Sequence, residues 1–190
     1  MTEPRQMSAR IQLVLIATVF FGPLLVAAVM YYGGGLQPAG RTNHGALLEP
    51  IVNIASVLPE SEIHEKVSGH WALVYANDGE CLAKCRDALY TIRQSRRMLG
   101  QEMERLVRVF LHGESPPDTV FVADEHAGLI TLQDSRLSEL LDNKKPANLP
   151  AGGYFLMDPL GNLVMYFEPA IDPSDMVEDI HRLLKLSHIG

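Results

Sequence analysis

The stretch "GECLAKCRDALY" holds both cysteines of this 190-residue chain, Cys81 and Cys85, four residues apart. On a helix, residues i and i+4 share a face, with β-carbons ~5–6 Å apart. Two thiolates placed that way can converge on one ion, or close a disulfide after a small local adjustment. If the pair opens a helix, the free N–H groups of the first turn and the helix dipole favour anionic sulfur. Asp78, Glu80 and Asp87 lie nearby and oppose part of that effect. Three readings stay open: a metal clamp, a redox disulfide, and two inert residues of a helix. As a metal site, two thiolates alone are soft and linear or trigonal, which suits Cu(I) better than Zn(II).

A firmer site needs a third ligand, usually histidine. Among the seven histidines, His112 is the best placed. It ends the β-rich run "RLVRVFLHG", and a strand parallel to the one before the cysteines would bring it out at their edge. His70 begins its own strand and belongs at the opposite edge. His44 falls in a tether and His188 in the tail. Asp124, Glu125 and His126 read as a solvated helix face rather than a metal cluster. There is no phosphate loop and no nucleophile elbow. A net charge of −7 argues against a nucleic-acid partner, which rewards a basic face.

The elements that must carry these residues fall in two parts. Ile11 to Tyr32 is 22 residues without a charge. At ~1.5 Å per residue it reaches about 33 Å, enough to cross a bilayer core. Arg5 and Arg10 against Glu3 keep residues 1–10 in the cytoplasm by the positive-inside rule, and send the remainder across. The run is longer than a signal-peptide core, so the span over residues 11–32 is expected to remain as an anchor. Residues 33–59 read as a tether followed by an extended lead-in broken by Pro50 and Pro59. Residues 60–190 read as the folded domain. In the compartment this implies, a thiol pair is disulfide-bonded, metal-bound or kept reduced by a partner.

Within the domain, "HWALVYA" (70–76) reads as a buried strand and Cys81 to about Leu99 as a helix, with Gly100 at its end. Residues 105–113 form a second strand. Pro116 and Pro117 open a short helix, and Leu129 to Leu132 a third strand. "SRLSELLDN" is a helix with a serine cap. "GYFLMD" and "NLVMYFE" pair as a hairpin across "PLG", and "DPSDMVEDIHRLLKLS" is a closing amphipathic helix. Strands alternating with helices give an α/β sheet with parallel pairs, and the late hairpin adds antiparallel ones. That order is compatible with a thioredoxin-like fold, in which reactive cysteines sit where the first core strand passes into its helix.

An apolar anchor, "LVYANDGECLAKCRDALY" and "GYFLMDPLGNLVMYFEP" together resemble the Sco/SenC family, which helps load copper into cytochrome c oxidase. "NHGALLEP", "CRDALYTIRQ" and "RLLKLSHIG" resemble a bacterial subgroup of small oxidase-associated membrane proteins of Sco-like type. The resemblance implies a thioredoxin-like domain on a single inner-membrane anchor, facing the periplasm. It also implies copper as the metal, Cys81 and Cys85 as its ligands, and oxidase subunits or other assembly factors as partners. Pro150 stands at the position of the family's histidine ligand, and Gly152 near that of the cis-proline of thioredoxin-type reductases. His112 is then the candidate third ligand. The alternatives are thiol–disulfide exchange with an assembly partner and a non-catalytic scaffold of the oxidase.

Overall fold

In the computed structural model, residues 8–33, 43–187 and 189 are described. The Glu3 and Arg5 flank, residues 34–42 of the tether, and His188 lie outside the described residues. The chain forms two compact units, Met1–Thr42 and Asn43–Gly190. Among its described residues the first contains one helix, α1 (Ala9–Tyr32), which runs through Pro23 and buries none of its residues. Its mean hydropathy reaches 2.6, so it is long and apolar enough to cross a membrane.

The second unit begins with β1 (Ala46–Asn53), followed by two short helices, α2 (Ile54–Val57) and α3 (Ile63–Val67). The expected alternation then follows: β2 (Trp71–Asn77), α4 (Ala83–Met98), β3 (Leu106–His112), α5 (Thr119–Glu125), β4 (Leu129–Leu132) and α6 (Ser135–Lys144). The hairpin β5 (Tyr154–Met157) and β6 (Asn162–Phe167) and the helix α7 (Pro173–Leu186) complete it. A 3₁₀ turn, Gly100–Arg105, joins α4 to β3.

Among the described residues, six strands form one sheet in the order β1-β6-β5-β2-β3-β4. β2, β3 and β4 run parallel, while β5, β6 and β1 pair antiparallel. β2 lies inside the sheet and is apolar without alternation. All five residues from Trp71 to Tyr75 are buried, which requires cover on both faces. One core gathers Leu89 and Ile92 of α4, Phe121 of α5 and Ile180 of α7 against Leu73, Tyr75 and Phe110. The other gathers Ile54, Ile63 and Leu137 against Val74, Val109 and Phe155. Fully burying a side chain such as Leu89 contributes ~1.5–3 kcal/mol.

Local details depart from the sequence reading in several places; α5, for one, is capped by Asp118 and starts at Thr119, so Pro116 and Pro117 precede it. α4 begins at Ala83, so Cys81 precedes the helix instead of opening it. The cap of α6 is Asp134, whose carboxylate accepts from the Leu137 N–H, and Ser135 is already helical. Leu186 is exposed, because the apolar face of α7 ends at Leu184. The lead-in forms an edge strand of the sheet, where Pro50 costs no interior ladder bond. Its entry is pinned to α7: the Gly45 N–H donates to the buried Asp179 carboxylate at 2.8 Å. His44, read as part of a tether, sits 3.6 Å from Asp175 and 3.4 Å from Glu178.

Gly153 marks the tightest approach in the unit. A β-carbon there would stand 2.0 Å from the Phe167 carbonyl oxygen, whereas one at Gly79 would meet nothing. Gly153→Ala should therefore destabilise the fold by roughly 1–3 kcal/mol in urea unfolding, with Gly79→Ala close to neutral. Equal stabilities for the two variants would contradict this packing.

Candidate functional site

Parallel pairing of β2 with β3 sets Asn77 opposite His112, so both strands end at one edge of the sheet. The loop after β2 carries Cys81, and its shape is imposed by Asn77. The Asn77 side-chain amide donates to the carbonyls of Gly79 (2.8 Å) and Glu80 (3.5 Å). The Gly113 N–H returns to the Asn77 carbonyl at 3.3 Å. A β-carbon at Gly113 would stand 2.3 Å from the Asp78 carbonyl oxygen, so the two loops touch backbone to backbone. Asn77 and Gly113 were not singled out in the sequence. The only local signal was the turn composition of "NDGE" and a glycine directly after His112.

Cys81 and Cys85 are joined in a disulfide, with their Cα atoms 5.0 Å apart. Their surroundings differ. Cys85 is buried in the α4 core, and Cys81 is half-buried against its edge. Leu82 is the N-cap of α4 and offers no side-chain cap, and the first turn holds no acidic residue. The N–H groups at the mouth of α4 are therefore left for a neighbouring anion, such as a thiolate released from this bond. Cys81 is thus the more exposed residue of the pair and Cys85 the shielded one, the asymmetry that thiol exchange uses.

His112 reaches the expected edge. Along β3 it shares a face with Phe110, and the two rings lie 6.2 Å apart. Its Nδ1 is 2.8 Å from the Gly113 carbonyl oxygen, which accepts only from an Nδ1–H, so Nε2 is the acceptor nitrogen of that tautomer. Among the described residues, no group of three His, Cys, Asp or Glu side chains is gathered to hold a metal ion. His126, read as part of a solvated face, is instead buried against Phe121, at 4.8 Å between rings. Gly152 has φ +83°, a left-handed conformation closed to proline. Pro150 contributes its backbone: the Tyr166 hydroxyl donates to the Pro150 carbonyl and accepts from the Gly153 N–H.

The core that takes in Cys85 also holds a group of aromatic rings. Tyr75 stacks on Phe110 at 5.8 Å and tilts against Tyr154 at 5.8 Å. Burial, and behind it the neighbouring Tyr154, pushes the Tyr75 hydroxyl up to about 12. Burial also raises Tyr154.

Fold and site together define a thioredoxin-like thiol domain in a chain that also carries an apolar, transmembrane-length helix. The chain belongs to the family described as transmembrane-like, thioredoxin-like: the C-terminal domain of that family matches residues 71–187, and its transmembrane-like N-terminal domain matches residues 4–34. The sequence matches none of the curated proteins with which it was compared. Among solved structures, copper-bound yeast Sco1 is 19% identical with a TM-score of 0.50, over 64% of this chain and 80% of that one. Copper-bound ScoI of Arabidopsis thaliana is 17% identical with a TM-score of 0.52, over 65% and 89%. A SCO1/SenC family lipoprotein from Bacillus anthracis str. Ames is 12% identical with a TM-score of 0.50, over 78% and 98%. At these identities the likeness is one of fold.

The raised tyrosine gives a pH signature. The folded chain holds the Tyr75 proton more tightly than the unfolded chain, whose tyrosines titrate near ~10. Its contribution to stability is therefore complete below about pH 10 and is lost as pH rises toward 12. Tyr75→Phe should flatten the fall in thermal stability between about pH 10 and 12. An unchanged slope would remove Tyr75 as its source.

Proposed function

We propose that this chain is a membrane-anchored accessory factor of cytochrome c oxidase assembly that exchanges disulfides with a cysteine-bearing assembly partner. The observation that carries this reading is the Cys81–Cys85 bond at the mouth of α4, with Cys81 half-buried and Cys85 buried. In the reduced form, the Cys81 thiolate attacks a partner disulfide. One partner sulfur leaves as a thiolate, and a mixed disulfide forms with the other. The Cys85 thiolate then displaces that sulfur from Cys81, restoring the Cys81–Cys85 bond and leaving the partner with two thiols. Two electrons pass from this chain to the partner, and the released thiolates take up protons from solvent.

In this reading residues 1–10 lie in the cytoplasm, residues 11–32 cross the bacterial inner membrane, residues 33–59 lead from it, and residues 60–190 work in the periplasm. The apolar helix and the matched transmembrane-like N-terminal domain support the anchor. The family resemblance supports oxidase subunits or other assembly factors as partners.

The exchange chemistry predicts an asymmetric trap. Cys85→Ser leaves the Cys81 thiolate without its resolving partner and should accumulate mixed disulfides in membranes, seen on non-reducing gels. Cys81→Ser should accumulate few. Equal trapping by both variants, or none by either, would overturn the assignment of Cys81 as nucleophile.

Copper handling is the second reading, favoured by the fold shared with the copper-bound yeast and Arabidopsis structures. The oxidised pair does not suit Cu(I), since its sulfurs are bonded to each other. Once reduced, two thiolates on Cα atoms 5.0 Å apart suit Cu(I) as a cargo held briefly. His112 Nε2 is the nitrogen that would join them. The reduced chain should then take up one Cu(I) per cysteine pair, and His112→Ala should weaken binding at least about tenfold, or ~1.4 kcal/mol. Unchanged affinity would dispose of His112, and absence of Cu(I) uptake would dispose of the reading.

A further inference from the structure

Away from the disulfide, the second half of α4 faces β3 and the α5–β4 turn with several cations, of which Arg93 and Arg108 have no carboxylate partner among the described residues. Arg108 is buried at 4% exposure and His126 at 1%. Arg108 donates from Nη2 to the Ala127 carbonyl at 2.6 Å, and Arg93 donates from Nη1 to the Glu125 carbonyl. Both guanidinium groups thus converge on the same turn. Their remaining buried atoms are unpaired: Arg108 Nε and Nη1, Arg93 Nε, and His126 Nδ1 have no hydrogen-bond partner. Among the described residues, no carboxylate pairs with Arg93 or Arg108. Nearby, Arg96 is held by Glu104 at 3.2 Å and by the Leu106 carbonyl at 2.7 Å.

A buried guanidinium with donors left over is costly, and like charges beside it raise the cost. Burial first, and then Arg96, Arg93 and Arg97, pulls Arg108 down to about 10. His126 is lowered by burial, then by Arg93 and Arg108, with the Glu125 carboxylate opposing. In a chain of net charge −7, such a cluster is not a by-product of composition. One group relieves all of these strains together: an anion with several acceptor oxygens. Carboxylate offers two oxygens in one plane. A phosphate group offers oxygens in several directions, which suits donors on three separate side chains. Arg97, Ala127 and Gly128 are exposed and Arg93 is half-buried, so the cluster borders solvent.

We propose that Arg93, Arg108 and His126 form a binding site for a phosphate group between α4, β3 and the α5–β4 turn. The site is separate from the cysteine pair and does not depend on the exchange or copper readings. The phosphate is that of a free anion or of a lipid headgroup, and the test separates the two.

The full chain in uncharged detergent micelles is heated with inorganic phosphate, with dihexanoyl phosphatidic acid, and with sodium chloride at matched ionic strength. A ligand near a hundred times its dissociation constant should raise the midpoint by roughly 5 °C or more over chloride. The rise should vanish in Arg93→Gln, whose side chain is half-buried and whose variant is expected to fold, and in Arg108→Met where that variant folds. A rise with inorganic phosphate means that the free anion suffices. A rise with the lipid alone assigns the headgroup. No rise with either probe, as expected if water alone fills the cluster, overturns the proposal. So does a rise that survives in Arg93→Gln.

Discussion

Burial of β2 on both faces is the constraint from which the rest of the second unit follows. Trp71 to Tyr75 are apolar at every position and all are buried, so helices must cover the strand above and below. α4 and α7 supply one cover, and α3 and α6 the other. A strand enclosed this way can release its chain only at its ends. Asn77 is the last residue of β2, and the loop that begins there has to turn directly into α4. The cysteines sit at that turn, with Cys85 drawn into the core by the burial of Leu89 and Ile92 and Cys81 left at its rim.

The same packing explains how the thiol pair is made unequal. Two sulfurs at i and i+4 are equivalent in an isolated helix. Here α4 starts at Ala83, which leaves Cys81 on the loop and Cys85 in the first turn, within the core that also holds Tyr75 and Phe110. The loop is held by an amide, Asn77, and by a glycine, Gly113, that leaves no space for a side chain between itself and Asp78. Chemistry at the edge of the sheet is therefore set by backbone contacts between two loops that are more than thirty residues apart in sequence.

Polar burial divides into two kinds. Asp179 is buried and used: it receives the Gly45 N–H and ties the start of the domain to α7. Arg108 and His126 are buried with donors and acceptors to spare. A structural role accounts for the bonds to Ala127 and Glu125, which close the turn after α5. It leaves the other buried nitrogens unexplained.

Much was legible in the chain itself, for reasons that are local. The uncharged run before Tyr32, the β-rich run at Trp71, the three- and four-residue steps of α4, and the Asp172–Pro173 start of α7 depend on periodicity and capping within about a dozen residues. The four-residue cysteine spacing and the arrival of His112 at the same sheet edge were legible too, because alternating strands and helices make parallel pairing the expected outcome. What tertiary structure alone decided was which sulfur is shielded, that Asn77 and Gly113 shape the loop, that residues 46–53 complete the sheet, and that His126 joins two arginines in the interior. Each of these depends on the register of one segment against another far along the chain, and local propensity carries no information about that register.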